Sequence, residues 1–302
     1  MLLRAVATLL GLLTSMAVFA LQYPLPKPGN DLVGETRIVE AKSGDTLASI
    51  GERFDIGLQE MREANMASYP SIRLMAGDRV IVPSQFILPP IRTGIVVNLA
   101  ELRLYYFPPD RAEVITFPIA IGRMNWKTPL MMTKVVGKQK DPIWYVPKSI
   151  KEYTLKTKGK LLPDIMPAGP ENPLGKYKLQ LAKPGYLIHG TNAPSSVGTR
   201  ISSGCIRMPA HGIETLYHEV ALNTPVYIIN QPLKAGWQND TLYLEAQWPL
   251  GDYPAPNEKD GNSLEVIVER ATAGKKVKID WQQAIAVADE RSGIPQPIGK
   301  KA

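Results

Sequence analysis

Proline interrupts this chain 27 times in 302 residues, about one position in eleven, where an average chain has about one in twenty. Each proline removes a backbone donor and fixes φ, so helices must be short and strands must run between breaks. With 24 glycines added, the expectation is a loop-rich α+β or mainly β protein, not a helical bundle. At 44% apolar and 21% charged residues the composition is globular. The length suffices for two modest domains with separate cores.

Cysteine and charge narrow the chemistry. The single cysteine excludes an intramolecular disulfide and a multi-cysteine metal site. The formal net charge is +7, and between Lys127 and Lys160 nine lysines stand against Asp141 and Glu152. A nucleic-acid-binding face usually interleaves arginines and aromatics. This block reads instead as one basic loop region suited to small acidic ligands, and no nucleic-acid partner is expected. It has no clear periodicity, and long irregular segments in compact domains are commonly lids or binding loops. A basic lid is expected there, with Lys134, Lys138 and Lys140 among its cations.

Residues 1–20 (MLLRAVATLLGLLTSMAVFA) carry one charge, Arg4, then an apolar run ending in Val18-Phe19-Ala20. A basic start, an apolar middle and a small-x-small end read as a secretory signal peptide cleaved after Ala20. The apolar run falls short of the ~20 residues that span a bilayer. Residues 21–35 are a Pro/Gly-rich leader that should be extended.

From Thr36 to Pro83 the order is strand, helix, helix, strand. Arg37-Ile38-Val39-Glu40 alternates, Gly44-Asp45-Thr46 turns, and Thr46 can cap a helix that carries Leu47, Ile50 and Phe54 on one face. A second helix spans about 58–65, and Gly77-Asp78 turns into Arg79-Val80-Ile81-Val82, stopped by Pro83. This pattern resembles the LysM module, on Gly44-Asp45-Thr46-Leu47, Ile50, Asn65, Gly77-Asp78 and Val80-Ile81-Val82-Pro83. The stretch Met66–Ser71 departs from the usual short spacer. The resemblance implies binding of N-acetylglucosamine-containing glycan, in bacteria usually peptidoglycan, with Gly44, Asp45, Thr46 and Asn65 as candidate glycan-binding residues. The unit reads as a separable targeting module at 36–84, followed by a linker at 83–90. A chain beginning near Ile91 is therefore expected to keep its chemistry.

Beyond the linker, β-like runs appear at 95–98, 103–106, 114–117, 175–179, 186–189 and 225–229. A helix is expected over 209–219, a strand over 264–268 and a helix over 281–292. The lone Cys205 sits in Ser202-Ser203-Gly204-Cys205-Ile206-Arg207, a polar, turn-like setting. Arg207 and the backbone N–H groups of such a turn would favour a thiolate. Of the three histidines, His189 leaves a strand at Gly190-Thr191-Asn192, while His211 and His218 lie seven apart on the expected helix. A zinc site from these residues has no recognised ligand spacing.

His189-Gly190-Thr191-Asn192, twelve residues, then Ser202-Ser203-Gly204-Cys205-Ile206-Arg207 resembles the active-site signature of L,D-transpeptidases with a YkuD-type catalytic domain. The similarity extends over roughly 93–232, including Pro167-Ala168-Gly169-Pro170-Glu171-Asn172-Pro173-Leu174-Gly175. Many members carry histidine directly before the Gly-Cys pair, where this chain has Ser203. The order of modules resembles the periplasmic Gram-negative members, and the leader LQYPLP and the tail after residue 232 resemble their lipoprotein-anchoring group. The resemblance implies an α+β, mainly β fold: a small βααβ LysM domain, a β-sandwich-like catalytic domain at 93–232 and a short C-terminal extension at 233–302. It implies Cys205 as nucleophile and His189 as base, with the Gly190 carbonyl orienting the imidazole. The backbone near Ser203, Gly204 and Cys205 would form the oxyanion hole. Arg207 would hold a substrate carboxylate or brace the loop, and Trp144 and Tyr186 are candidate substrate-binding aromatics. No cofactor or metal is implied. The partners implied are peptidoglycan, an outer-membrane lipoprotein as acyl acceptor, and a periplasmic thiol reductase protecting Cys205. Two other readings stand beside this one: an L,D-carboxypeptidase and a non-catalytic peptidoglycan-binding protein. Papain-like and NlpC/P60-type peptidases place cysteine before histidine, the reverse of the order here.

Overall fold

A computed structural model describes residues 20–66, 73–253 and 263–302 of the chain. The expected export leader, apart from Ala20, and the spacer after Met66 lie outside the described residues. Six helices are described: α1 (Leu47–Phe54), α2 (Leu58–Asn65), α3 (Lys148–Lys158), α4 (Ala210–Glu219), α5 (Leu264–Thr272) and α6 (Trp281–Glu290). The longest has 11 residues.

Nine strands form the central sheet. Their spatial order is Leu21–Pro24, Glu113–Pro118, Arg103–Phe107, Gly94–Asn98, Pro225–Ile229, Met131–Lys140, Tyr177–Leu181, Leu187–His189 and Ile206–Arg207. The strands Gly94–Asn98 and Arg103–Phe107 are buried at every position, so both faces of the sheet are covered. Alternation sorts their side chains. Ile95, Val97, Leu104 and Tyr106 join the core with Phe117, Ile188, Ile206 and α4 residues Ile213 and Leu216. Val96, Tyr105 and Phe107 point the other way and share a core with Leu47, Ile50, Met61, Val80 and Val82.

That second core makes the LysM unit part of one packed body, and it overturns the reading of residues 83–90 as a free linker. Gln85–Ile87 pairs with Leu32–Gly34, and Phe86, Ile87 and Leu88 are buried. The extended leader is an edge strand, since Leu21–Pro24 pairs with Glu113–Pro118. Arg103, fully buried, reaches from the sheet into the LysM unit. Its Nε and Nη2 grip the two oxygens of Glu60 at 2.7 and 3.0 Å, and Nη2 also donates to the Asp55 carbonyl at 3.2 Å. His211 Nε2 lies 3.0 Å from Asp55 Oδ1. The backbones touch at Gly57 and Gly198, where a Cβ on Gly198 would sit 2.3 Å from Leu58 N. Removing everything before Ile91 would expose this core, so the expected activity of such a chain does not follow.

Two further expectations are corrected. Residues 127–160 are not one irregular lid, because Met131–Lys140 is a strand inside the central sheet. Lys134, Lys138 and Lys140 belong to that strand, and Lys138 Nζ donates to the Val220 carbonyl. Exposed Met132 and Val136 disguise the alternation, and a bulge between Val135 and Gly137 breaks it. The lid is residues 141–166, with α3 and the strand pair Trp144–Tyr145 and Ile165–Met166. The strand expected at 264–268 is α5: Leu264, Ile267, Val268 and Ala271 follow helical spacing, and Ser263 caps its start. The helix expected over 281–292 forms as α6. The C-terminal residues make a four-stranded sheet, in the order Leu233–Gln238, Thr241–Ala246, Gln296–Lys301, Val277–Ile279, and its core includes Trp237, Leu242, Val268, Ala284 and Ile298.

Arg103→Ala would leave the Glu60 carboxylate buried without its partner, at a cost of about 3–5 kcal/mol and a fall in Tm of about 10 °C. The double change Arg103→Met with Glu60→Met should recover most of that loss in a thermal melt. An Arg103→Ala protein that melts with wild type would show that the LysM unit is not held by this pair.

Candidate active site

His189 ends a strand fixed on both sides, paired with Lys178 across one edge and Arg207 across the other. It is 4% exposed. Its Nδ1 lies 2.7 Å from the Gly190 carbonyl oxygen. A carbonyl can only accept, so the proton sits on Nδ1 and Nε2 keeps its lone pair. Burial pushes the imidazole pKa down to about 3, with the Arg207 charge as the second cause. The group is therefore neutral at physiological pH.

The Gly190 carbonyl is itself held in place. Gly175, at φ 66°, packs so closely behind it that a Cβ there would meet Gly190 C at 2.9 Å and Thr191 N at 2.7 Å. Buried Asn172 shapes the segment leading to Gly175, donating to the Pro142 and Pro167 carbonyls at 2.9 and 3.0 Å and accepting from Leu174 N–H at 2.9 Å.

Cys205 is half-buried in the turn between Arg200–Ser202 and Ile206–Arg207. Its Sγ is 3.6 Å from the Gly185 carbonyl. Burial raises the thiol pKa above its ordinary value, and the Leu187 N–H and Arg207, which pull the other way, do not overcome it. Arg207 does favour the thiolate as expected, but burial outweighs it, so the resting groups are a thiol and a neutral imidazole.

Side chains build the turn. Ser202 Oγ donates to the Cys205 carbonyl and accepts the Gly204 N–H at 3.1 Å. Thr128 Oγ1 donates to the Gly204 carbonyl at 2.9 Å. Gly204 takes φ 105°, open only to glycine, and a Cβ there would press on the Tyr186 ring at 3.3 Å. The Gly204 N–H, expected in an oxyanion hole, is already committed to Ser202. Among the described residues, the N–H groups of Ser203 and Cys205 have no acceptor.

A cavity of about 490 Å³ joins these groups, lined by His189, Cys205, Arg207, Ser203, Trp144 and Tyr186 together with residues of the lid. Arg207 Nε is buried and has no partner among the described residues. Arg123 escaped the sequence reading. Its guanidinium lies 3.9 Å from the Tyr153 ring centre on α3 and 4.7 Å from that of Trp126, and its Nη2 is 3.4 Å from Ser203 Oγ. It thereby ties the lid to the cysteine turn. Eighty residues separate Arg123 from Ser203, and no local pattern joins them.

His211 is bound to Asp55, and His218 stacks edge-on against Tyr177 and Tyr217 at 5.8 and 5.3 Å; neither lines the cavity. In the LysM unit, Gly44 turns at φ 84°. Asp45 accepts from Lys42 N–H and Arg53, and Thr46 forms a reciprocal cap with Ser49. Asn65 is 1% exposed and makes three bonds, to the Met61 carbonyl and to both backbone groups of Ile81.

Residues 92–228 match the family model of the YkuD L,D-transpeptidase catalytic domain, and residues 39–83 match that of the LysM domain. The chain is 38% identical over 294 residues to "Probable L,D-transpeptidase ErfK/SrfK" of Escherichia coli (strain K12), covering 95% of this chain and 94% of that one. It is 37% identical over 285 residues to "Probable L,D-transpeptidase YcfS" of the same organism, covering 91% and 88%. The chain belongs to the YkuD L,D-transpeptidase family. Among solved structures, the catalytic domain of the E. faecium L,D-transpeptidase aligns at 20% identity with a TM-score of 0.36, over 47% of this chain and 100% of that one.

YkuD L,D-transpeptidases are cysteine-dependent acyltransferases, and this member has one cysteine to use. Its thiol pKa is raised and its imidazole stays neutral, so alkylation of Cys205 by iodoacetamide should rise with pH only above the ordinary thiol range. No step should appear near the ordinary histidine value. Arg207→Gln removes a cation that favours the thiolate and should move the profile to still higher pH, slowing alkylation several-fold at pH 8. A step near pH 6.5, the unperturbed histidine value, would mean that His189 carries charge at rest.

Proposed function

We propose that the chain is exported by its N-terminal leader, which is then removed. It acts in the periplasm as an L,D-transpeptidase on the tetrapeptide stems of peptidoglycan, in wall biogenesis and cell-shape maintenance. The observation that carries this reading is the one cavity shared by a thiol, a neutral imidazole of fixed tautomer and a half-buried arginine whose buried Nε has no partner among the described residues.

His189 Nε2 takes the thiol proton as Cys205 Sγ attacks the carbonyl between meso-diaminopimelate and the terminal D-alanine. The oxyanion that forms accepts from the N–H groups of Cys205 and Ser203, where each such donor is worth about 3 kcal/mol. Burial and Arg207 both disfavour an imidazolium, so the proton passes promptly to the leaving amine. D-Alanine departs and a thioester remains. His189, neutral again, deprotonates an incoming amine, which attacks the thioester and restores the thiol. Arg207 Nε faces a stem carboxylate, and Trp144 and Tyr186 border the peptide. The LysM unit holds the glycan at its exposed Gly44–Thr46 turn. A periplasmic thiol reductase keeps Cys205 reduced.

The acceptor amine is the C-terminal lysine of an outer-membrane lipoprotein or the diaminopimelate of a second stem. Incubation with tetrapeptide muropeptides, with and without a lipoprotein C-terminal peptide, separates these by product mass; release of tripeptide alone would make the enzyme an L,D-carboxypeptidase. Intact-protein mass spectrometry should show a thioester on the wild type and none on Cys205→Ala. His189→Ala should slow acylation by about 10²–10⁴, while His211→Ala and His218→Ala stay within a few-fold. An inactive, folded His218→Ala protein with an active His189→Ala protein would refute the assignment.

A further inference from the structure

Among the described residues, none from 233 onward lines the Cys205 cavity. Their own surface carries an open groove of about 470 Å³ where the last two strands meet the start of α6. Lys278, Lys300, Thr241, Pro297, Asp280 and Trp281 line it. Thr241 lies opposite Lys300, and Lys300 opposite Lys278, so these three side chains form a row across three strands. Like charges placed directly opposite each other weaken a sheet. Among the described residues, neither lysine's side chain has a hydrogen bond or an ion pair that would offset this. The carboxylates beside them are engaged: Asp240 pairs with Lys301 at 2.9 Å, and Asp280 Oδ1 caps α6 through Gln283 N–H at 3.0 Å. Trp281 stands at the groove 43% exposed.

An unneutralised cation pair beside a half-exposed indole does nothing for the stability of a small domain. It suits a ligand that brings carboxylates to the lysines and a flat, weakly polar face to the ring. We propose that this groove is a second wall-binding site, separate from the LysM unit and from the catalytic cavity, that takes a carboxylate-bearing glycopeptide strand of peptidoglycan. Stem carboxylates sit between Lys278 and Lys300, and the strand rests on Trp281. The inference builds on the wall-directed reading given under the proposed function.

The test is co-sedimentation of the full chain with purified sacculi at low and near-physiological salt. Lys278→Gln with Lys300→Gln should bind about tenfold more weakly at low salt and depend less on salt. Lys278→Arg with Lys300→Arg keeps the charge and should bind like wild type, which separates lost charge from lost fold. On sacculi whose carboxylates have been amidated, the wild type and the Gln double variant should bind alike. A Gln double variant that binds native sacculi as tightly as wild type, or that still differs from it on amidated sacculi, overturns the groove. A wild-type chain that fails to sediment with sacculi at any salt overturns instead the wall-directed reading on which the groove depends.

Discussion

Arg103 is the point on which the assembly of this chain turns. It sits in a strand buried on both faces, at 0% exposure, and its guanidinium leaves the catalytic sheet to meet Glu60 of the LysM unit. Removing a guanidinium from water is tolerable only when its donors are matched. Here Nε and Nη2 meet both Glu60 oxygens, Nη1 lies 3.2 Å from Thr116 Oγ1, and the Phe86 ring centre lies 4.4 Å from the guanidinium carbon. A second buried cation, Lys234, plays the same part on the other side. It joins Glu101, in the turn between the strands Gly94–Asn98 and Arg103–Phe107, to Glu245 of the C-terminal sheet at 2.6 and 2.9 Å. Charge that cannot face water thus fixes how the three units meet.

The electrostatics of the cavity follow from the same scarcity of water. Both members of the cysteine–histidine pair are held in their neutral forms by burial, which outweighs the Arg207 cation for the thiol and acts together with it for the imidazole. A thiol–imidazole pair of this kind stores no ion pair at rest. In the mechanism proposed above, charge would appear only when substrate brings a carbonyl within reach, and the developing oxyanion would then lie in a low-dielectric site near Arg207, where a fixed cation counts for most.

The parts of the fold and site that were legible in the sequence are those written in local spacing. Thr46 and its cap, α4 after Pro209 and the β-like runs at 95–98 and 103–106 all depend on neighbours within a few residues, and they stand as read. The unread parts depend on distant partners. Met131–Lys140 passed for a loop because its outward side chains mix methionine, valine and lysine and its alternation slips at a bulge. Residues 264–268 alternate over five positions, yet the apolar spacing that decides runs on to Ala271 and belongs to a helix. Arg207 favours the thiolate from a position local to Cys205, whereas the burial that outweighs it exists only once the fold closes the cavity lined by Trp144, Leu187 and His189. Arg123 and Asp55 act through contacts that no window of sequence contains.

Two close backbone approaches carry the consequence for function. Gly175 against Gly190 fixes the carbonyl that sets the His189 tautomer. Gly198 against Gly57 seats the LysM unit on the segment that runs from His189 to Cys205, and Gln59 N–H donates to the Gly198 carbonyl at 3.2 Å. A side chain at either contact would separate the backbones, since a Cβ on Gly175 or Gly198 meets backbone atoms inside 3.0 Å. The LysM unit is therefore not a module on a tether that searches the wall while the catalytic domain waits. On the function proposed above, a glycan held by the docked unit would stand at one orientation to Cys205, and the stems within reach of the thiol would be set by that packing and not by the length of a linker.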